Sequence, residues 1–137
     1  MSRPGARDPL AVLRRLRATE VEQAKRAFGD RLSRLAAAEQ SVQAAEEALR
    51  REAALAAEPR DHAAWLPLGL RQRGEAAQAV RRAEAAAEQA RVALAAARAT
   101  ERAVERLQER REAEAGQCAA KSERQALDAA GLRGRRG

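Results

Sequence analysis

The sequence predicts an all-α protein in which two long helices form an antiparallel coiled-coil hairpin with disordered basic tails. Ala, Glu, Lys, Leu and Arg make up 95 of the 137 residues, well above the ~50% that is typical of coiled coils. Only 23 residues carry a large apolar side chain, which is too few to fill the interior of a compact globular domain. Apolar residues recur every seven positions in two long segments, and a segment rich in Pro and Gly separates them.

The first helix is predicted to begin at Pro9, after a basic N-terminal tail over residues 1–8. Asp8 is suited to cap the helix, and proline is well tolerated at the first helical position. We expect the helix to run over about 9–58 and to end at Pro59. Its predicted contact positions are spaced by seven and form its part of the coiled-coil seam: Val21, Phe28, Leu35, Val42 and Leu49.

A turn is expected over about 59–74, because two prolines and two glycines interrupt the helical pattern there. This segment contains the only His and the only Trp of the chain. Its side chains either cover the hairpin turn or form a docking patch for a partner, since Trp is a frequent anchor of protein interfaces. The candidate residues of this hairpin tip are His62, Trp65, Leu66, Leu68 and Leu70.

The second helix is predicted over about 75–130, and its large residues in the seam are Val80, Leu94 and Val104. Leu107 leaves that register, which suggests a local stutter. Residues 131–137 are rich in Gly and Arg and are predicted to be a disordered basic tail.

Folding back of these two segments gives a hairpin over 9–130. Residues whose numbers sum to about 129–132 should then lie opposite each other, with Leu49 near Val80 and Leu35 near Leu94. The alternative is one extended helix that dimerises with a second chain. The prolines and glycines between the two segments disfavour that alternative.

The net charge is +7, and the two ends of the chain account for all of it. Residues 1–17 carry +4 and residues 131–137 carry +3, whereas the stretch between them holds 19 basic and 19 acidic residues. A hairpin brings its ends together, so both clusters would form one basic pole that favours an acidic partner. The other interpretation is that the basic tails only keep the protein in solution.

Motifs for catalysis, phosphate binding or metal binding are not found in the sequence. The single His62 and the single Cys118 are 56 positions apart and do not suggest a metal site. We therefore expect no enzymatic activity, no cofactor and no small-molecule substrate. No uninterrupted apolar stretch is long enough to predict a transmembrane helix, and the basic N-terminus leads into no apolar segment typical of a secretory signal.

Nucleic-acid binding is not favoured, although the isoelectric point of about 11.2 is high. No aromatic residues lie among the basic clusters, and no DNA- or RNA-binding motif is recognisable. Nonspecific, salt-sensitive binding of nucleic acid or of an anionic surface through the termini stays open. A structural or adaptor coiled coil is a further alternative.

Three stretches of the sequence resemble the FliJ-type flagellar export proteins and their counterparts in virulence type III secretion. The opening DPLAVLRRLR over 8–17 is similar to the leucine- and arginine-rich helix start of that family. The middle EPRDHAAWLP over 58–67 resembles the Pro-, His- and aromatic-containing turn of some members. The charged segment over 105–128, which closes on Leu127 and Asp128, resembles the last helix of the family.

The resemblance implies a small antiparallel coiled coil, similar to the central stalk of rotary ATPases. It implies three partners: the hexameric export ATPase, the cytoplasmic domain of the export-gate membrane protein, and export chaperones. The location would be cytoplasmic, at the periphery of the inner membrane. The basic pole would enter the ATPase ring, and the tip around Trp65 would face the export gate. The residues expected to bind the ATPase, which we call the predicted pole, are Arg14, Arg15, Arg17, Arg110, Arg111, Lys121 and Arg124.

Overall fold

The computed structural model describes residues 8–136, which form two long α-helices. Helix α1 spans Pro9–Leu55 and helix α2 spans Pro59–Arg136. A link of three residues, 56–58, joins them, and residues 8–136 contain no strand. The prediction of an all-helical chain with two long helices is confirmed, and the arrangement is consistent with a helical hairpin.

The start of α1 follows the predicted capping pattern. The Oδ1 of Asp8 accepts a hydrogen bond of 3.1 Å from the backbone N–H of Leu10. The Asp8 carbonyl accepts another of 3.1 Å from the N–H of Val12. Pro9 takes the first helical position, where its missing N–H leaves no bond unmade. Residues 1–7 of the predicted basic tail lie outside the described residues.

The connection between the helices differs from the prediction, because residues 59–74 are helical. Helix α1 ends at Leu55 rather than near residue 58. The carbonyl of Glu58 accepts a hydrogen bond of 3.1 Å from the N–H of Asp61 and thereby opens α2. Pro59 was expected to end the first helix, but it is the first residue of the second. Because proline lacks an N–H, it destabilises a helix interior but is harmless in the first turn of a helix.

Helix α2 also continues through Pro67, Gly69 and Gly74, which the sequence suggested as breakers. A proline inside a helix costs about 3 kcal/mol and a glycine about 1 kcal/mol. These costs bend or weaken a helix, but packing against another helix offsets them. Gly69 is buried and lies beside Leu49 of α1, so tertiary contacts hold this stretch.

The second helix is therefore much longer than expected. Helix α2 has 78 residues and α1 has 47, whereas the sequence suggested two helices of near-equal length. The predicted disordered tail over 131–137 is not confirmed, because residues 131–136 continue α2. Gly131 and Gly134 do not end the helix, because glycine lowers helix stability without removing a backbone donor.

The chain divides into two units, each containing part of both helices. The central unit is Glu20–Ala97. The terminal unit is described over residues 8–19 and 98–136. The buried apolar residues of the central unit are Val21, Ala87 and Leu94, and those of the terminal unit are Leu10 and Val104.

Helix pairing inside the central unit follows a different register from the predicted one. Leu49 lies beside Gly69, with its Cδ2 atom 2.8 Å from where a Gly69 Cβ would stand. Val42 and Val80 line one groove, whereas Leu49 was expected near Val80. In both pairs the residue of α2 lies earlier in the chain than predicted, because the connection is 56–58 rather than 59–74.

Candidate protein-interaction site

The covered side of each helix follows a regular spacing of three and four residues, as expected for two packed helices. Val21, Leu94 and Val104 of the predicted seam are buried. The other five predicted seam residues are half-buried: Phe28, Leu35, Val42, Leu49 and Val80. Arg31 also occupies a half-buried position at this spacing on α1. The seam therefore contains a charged residue, and its long aliphatic stem can pack while the charge stays solvated.

The predicted tip residues lie in the first turns of α2 rather than in a turn. His62, Trp65 and Leu66 are half-buried. Leu68 and Leu70 are 48% and 42% exposed. Nδ1 of His62 is buried without a hydrogen-bond partner among the described residues.

Trp65 packs over Gly69, which lies about one helical turn further along α2. A Cβ built at Gly69 would stand 2.5 Å from Cη2 and Cζ3 of Trp65. Only glycine leaves room for the indole at this point. The Trp65 ring therefore lies against Gly69, where α2 meets Leu49 of α1. The exposed apolar surface of this region comes from Leu68 and Leu70. The sequence marked Gly69 only as a helix breaker, and no signal in a single sequence distinguishes that role from packing.

The two units differ in net charge. The central unit holds 12 basic and 12 acidic residues. The whole excess of positive charge consequently belongs to the terminal unit. All seven predicted residues of the basic pole lie in the terminal unit as well.

Within the terminal unit, Arg14 lies among acidic side chains rather than in a purely basic pole. Its Nη1 donates a hydrogen bond of 3.1 Å to Oε1 of Gln108. Glu105, Glu109 and Glu112 line the same groove. These carboxylates balance the Arg14 charge locally, so this part of the predicted pole presents a mixed surface. Arg15 also borders a second shallow groove beside Arg14.

The most accessible part of the terminal unit is the α2 segment 111–135, in which every residue is exposed. We call it the exposed segment. It carries Arg111, Lys121 and Arg124 of the predicted pole. Leu127 and Leu132 add apolar surface and are 65% and 62% exposed. Sequence reasoning missed Leu132, because it assigned residues 131–137 to a disordered tail.

Some ion pairs of the described residues lie along single helices at the surface. They join Lys25 to Glu22, Arg34 to Asp30 and Arg91 to Glu88. Nη2 of Arg91 donates to Oε1 of Glu88 over 2.6 Å and lowers the pKa of that carboxyl. Pairs of this kind, exposed to solvent on a single helix, support the helix only slightly.

Residues 8–136 contain no cluster of His, Cys, Asp and Glu able to hold a metal ion. Cys118 is an exposed free thiol. The exposed segment combines a helical scaffold with charged and apolar side chains open to contact. Such a surface suits the binding of another protein.

None of the helices in the described part of the chain is both long enough and apolar enough to span a membrane. Comparison with protein-family models, with curated protein sequences and with solved structures found no match.

Proposed function

We propose that this chain is a non-enzymatic, stalk-like component of a bacterial flagellar protein export apparatus. In this proposal the terminal unit engages the hexameric export ATPase. The hairpin tip engages the cytoplasmic domain of the export-gate membrane protein, and export chaperones are further partners. The chain would act in the cytoplasm at the periphery of the inner membrane.

The separation of charge is the observation that carries this proposal. The central unit is neutral, and the terminal unit has all of the positive excess. A protein that binds an acidic ring with one part of its length needs this distribution, because excess charge elsewhere would attract other anionic surfaces. The exposed segment also supplies several turns of helix that no other described element covers.

An antiparallel coiled coil within the central unit is part of the proposal. It is supported by two pairs of neighbouring residues, in which the later residue of α1 lies near the earlier residue of α2. Leu49 lies beside Gly69, and Val42 shares a groove with Val80. Small seam residues such as Ala87 allow close approach of two helices.

A contact of the tip with the export gate would use Leu68 and Leu70, which remain partly exposed. Trp65 would support that surface from below, because its ring packs over Gly69. Exposed leucines on a helix that is fixed by packing make a preformed docking face.

The test is ATP hydrolysis by the flagellar export ATPase of the source organism, titrated with this protein. We expect a saturable change in rate and a complex that co-sediments with the ATPase. The R110E/R111E variant removes two adjacent exposed arginines of the terminal unit and should weaken the effect at least tenfold. R81E/R82E makes the same change in charge on the neutral central unit and should act like the unaltered protein.

An unchanged hydrolysis rate at saturating protein, with no complex formed, would overturn the proposal. Binding to nucleic acid or to anionic vesicles that vanishes between 50 and 200 mM salt would then favour the nonspecific binder. Equal loss of effect in both double variants would mean that overall charge, rather than the terminal unit, acts on the ATPase.

A further inference from the structure

The contact face of α2 continues into the exposed segment without a change in spacing. The last covered positions are Glu101, Val104, Glu105 and Gln108, and steps of three and four residues link Glu101, Val104 and Gln108. Extending this alternation defines what we call the open seam. Its members, all exposed, are Arg111, Ala115, Cys118, Ser122, Gln125, Ala129 and Leu132.

Charged residues flank the open seam in an ordered pattern. One side carries Glu114, Lys121, Asp128 and Arg135, whose sign alternates every seven residues. The other side has Glu112 at one end and Arg133 at the other, and only alanines occupy the positions between them. Flanking rows of this kind determine partner and orientation in coiled coils.

We propose that the open seam binds the open seam of a second copy of this chain in antiparallel orientation. Each flanking row then faces the same row of the other copy. Lys121 of one copy lies opposite Asp128 of the other. Glu114 lies opposite Arg135, and on the second side Glu112 lies opposite Arg133. Two-fold symmetry repeats each pair, so all charged flanking positions between 112 and 135 meet the opposite sign.

The same charges exclude the neighbouring arrangements. A shift of one heptad places Lys121 opposite Lys121, or Asp128 opposite Asp128, and every charged pair of that row becomes repulsive. In a parallel pair each row faces the other row five positions further along. Lys121 then meets Ala126, and only Asp128 finds an opposite charge, on Arg133. The antiparallel register is therefore the one that the sequence selects.

The seam layers between these charges consist mostly of small side chains. Ala115 of one copy faces Leu132 of the other, Cys118 faces Ala129, and the central layer pairs Ser122 with Gln125. Small side chains let the helices approach closely, and a polar central layer favours one register at a cost in stability. We expect a weak, concentration-dependent dimer, since the buried area is small.

Sedimentation equilibrium of the full chain, in reducing buffer at low salt, measures this association directly. K121E and D128K each turn two symmetry-related attractions into repulsions and should weaken the dimer about tenfold. The K121E/D128K double variant exchanges the charges and should restore it. R124E and E123K make the same charge changes next to the row but away from the seam, and they should leave the association unchanged.

Disulfide formation tests the register independently. In the proposed dimer the two native Cys118 residues lie eleven positions apart, or roughly 16 Å along the axis, which is too far for a disulfide. A129C places a second thiol opposite Cys118 of the other copy and should give a covalent dimer under mild oxidation. A130C moves that thiol to the next residue, on a different side of the helix, and should form the covalent dimer at least tenfold more slowly.

The proposal is overturned if the chain stays monomeric up to millimolar concentration. It is also overturned if the dimer is indifferent to K121E and D128K, or if A130C crosslinks as fast as A129C. Circular dichroism of each variant checks that helix content is kept, which is expected because all the substituted positions are exposed. The inference goes beyond the proposed export function, and no ATPase is present in these assays. Failure of one proposal therefore leaves the other standing.

Discussion

Gly69 offers the sharpest test of the packing between the two helices. An alanine methyl at this position would stand 2.5 Å from two ring atoms of Trp65 and 2.8 Å from Cδ2 of Leu49. Contacts this short force the indole or the helix to move, and overpacking of this kind costs about 1–3 kcal/mol. The better helix propensity of alanine returns about 1 kcal/mol. The net expectation is that G69A lowers the free energy of unfolding by about 0–2 kcal/mol.

Gly74 is the matched control, because it lies on the same helix and an alanine methyl there would meet nothing within 4 Å. G74A should raise the free energy of unfolding by about 1 kcal/mol through helix propensity alone. Urea unfolding followed by circular dichroism measures both variants under the same conditions. The gain in helix propensity is common to both variants, so the expected difference between them is the overpacking cost of about 1–3 kcal/mol.

Removal of the Trp65 indole tests whether that ring causes the destabilisation by G69A. In a W65A background the ring no longer occupies the space, and only the flexible end of Leu49 remains close to Gly69. G69A should then be neutral or stabilising. If G69A and G74A stabilise the original chain equally, the close approach of Trp65 and Leu49 to Gly69 does not exist in solution.

Two further predictions concern the seam and the surface charges. V104A should destabilise the chain by about 1–3 kcal/mol, since Val104 is only 7% exposed. V92A, at a position that is 53% exposed, should stay within about 0.5 kcal/mol in the same unfolding experiment; equal effects would show that Val104 is not covered. The pKa of Glu88 should lie below the usual glutamate range, because Arg91 donates hydrogen bonds to its carboxylate. The small stabilisation by this pair is present above the unfolded-state pKa and is lost as pH falls through the lowered one. R91Q should raise the Glu88 pKa in an NMR titration, and an unchanged value would contradict the bond.

Secondary structure was largely readable from the sequence, and the reason is local. Alanine-rich composition favours helix through backbone and rotamer entropy alone. Asp8 and Pro9 mark the beginning of α1 because a cap acts over three or four residues. The separation of net charge was equally visible, since it needs only a count along the chain.

The site was predicted less completely than the helices. Sequence reasoning placed Trp65 in a turn and assigned residues 131–137 to a disordered tail. The sequence does not show whether Pro59 ends the first helix or begins the second, because proline is compatible with both positions. The choice depends on whether the following residues find packing partners. Leu49 and Trp65 supply them at Gly69, and a linear pattern does not contain that contact.

Helix formation, the beginning of α1 and the location of the charge follow from the linear order of the residues, because helix propensity, capping and charge are local properties. The position of the link between the helices, and which residues of the two helices meet, depend on tertiary contacts. With the link at 56–58 rather than 59–74, Leu49 meets Gly69 instead of the expected Val80. The same shift lengthened α2 and left residues 111–135 exposed. The surface on which both proposals rest therefore exists because of where the chain turns.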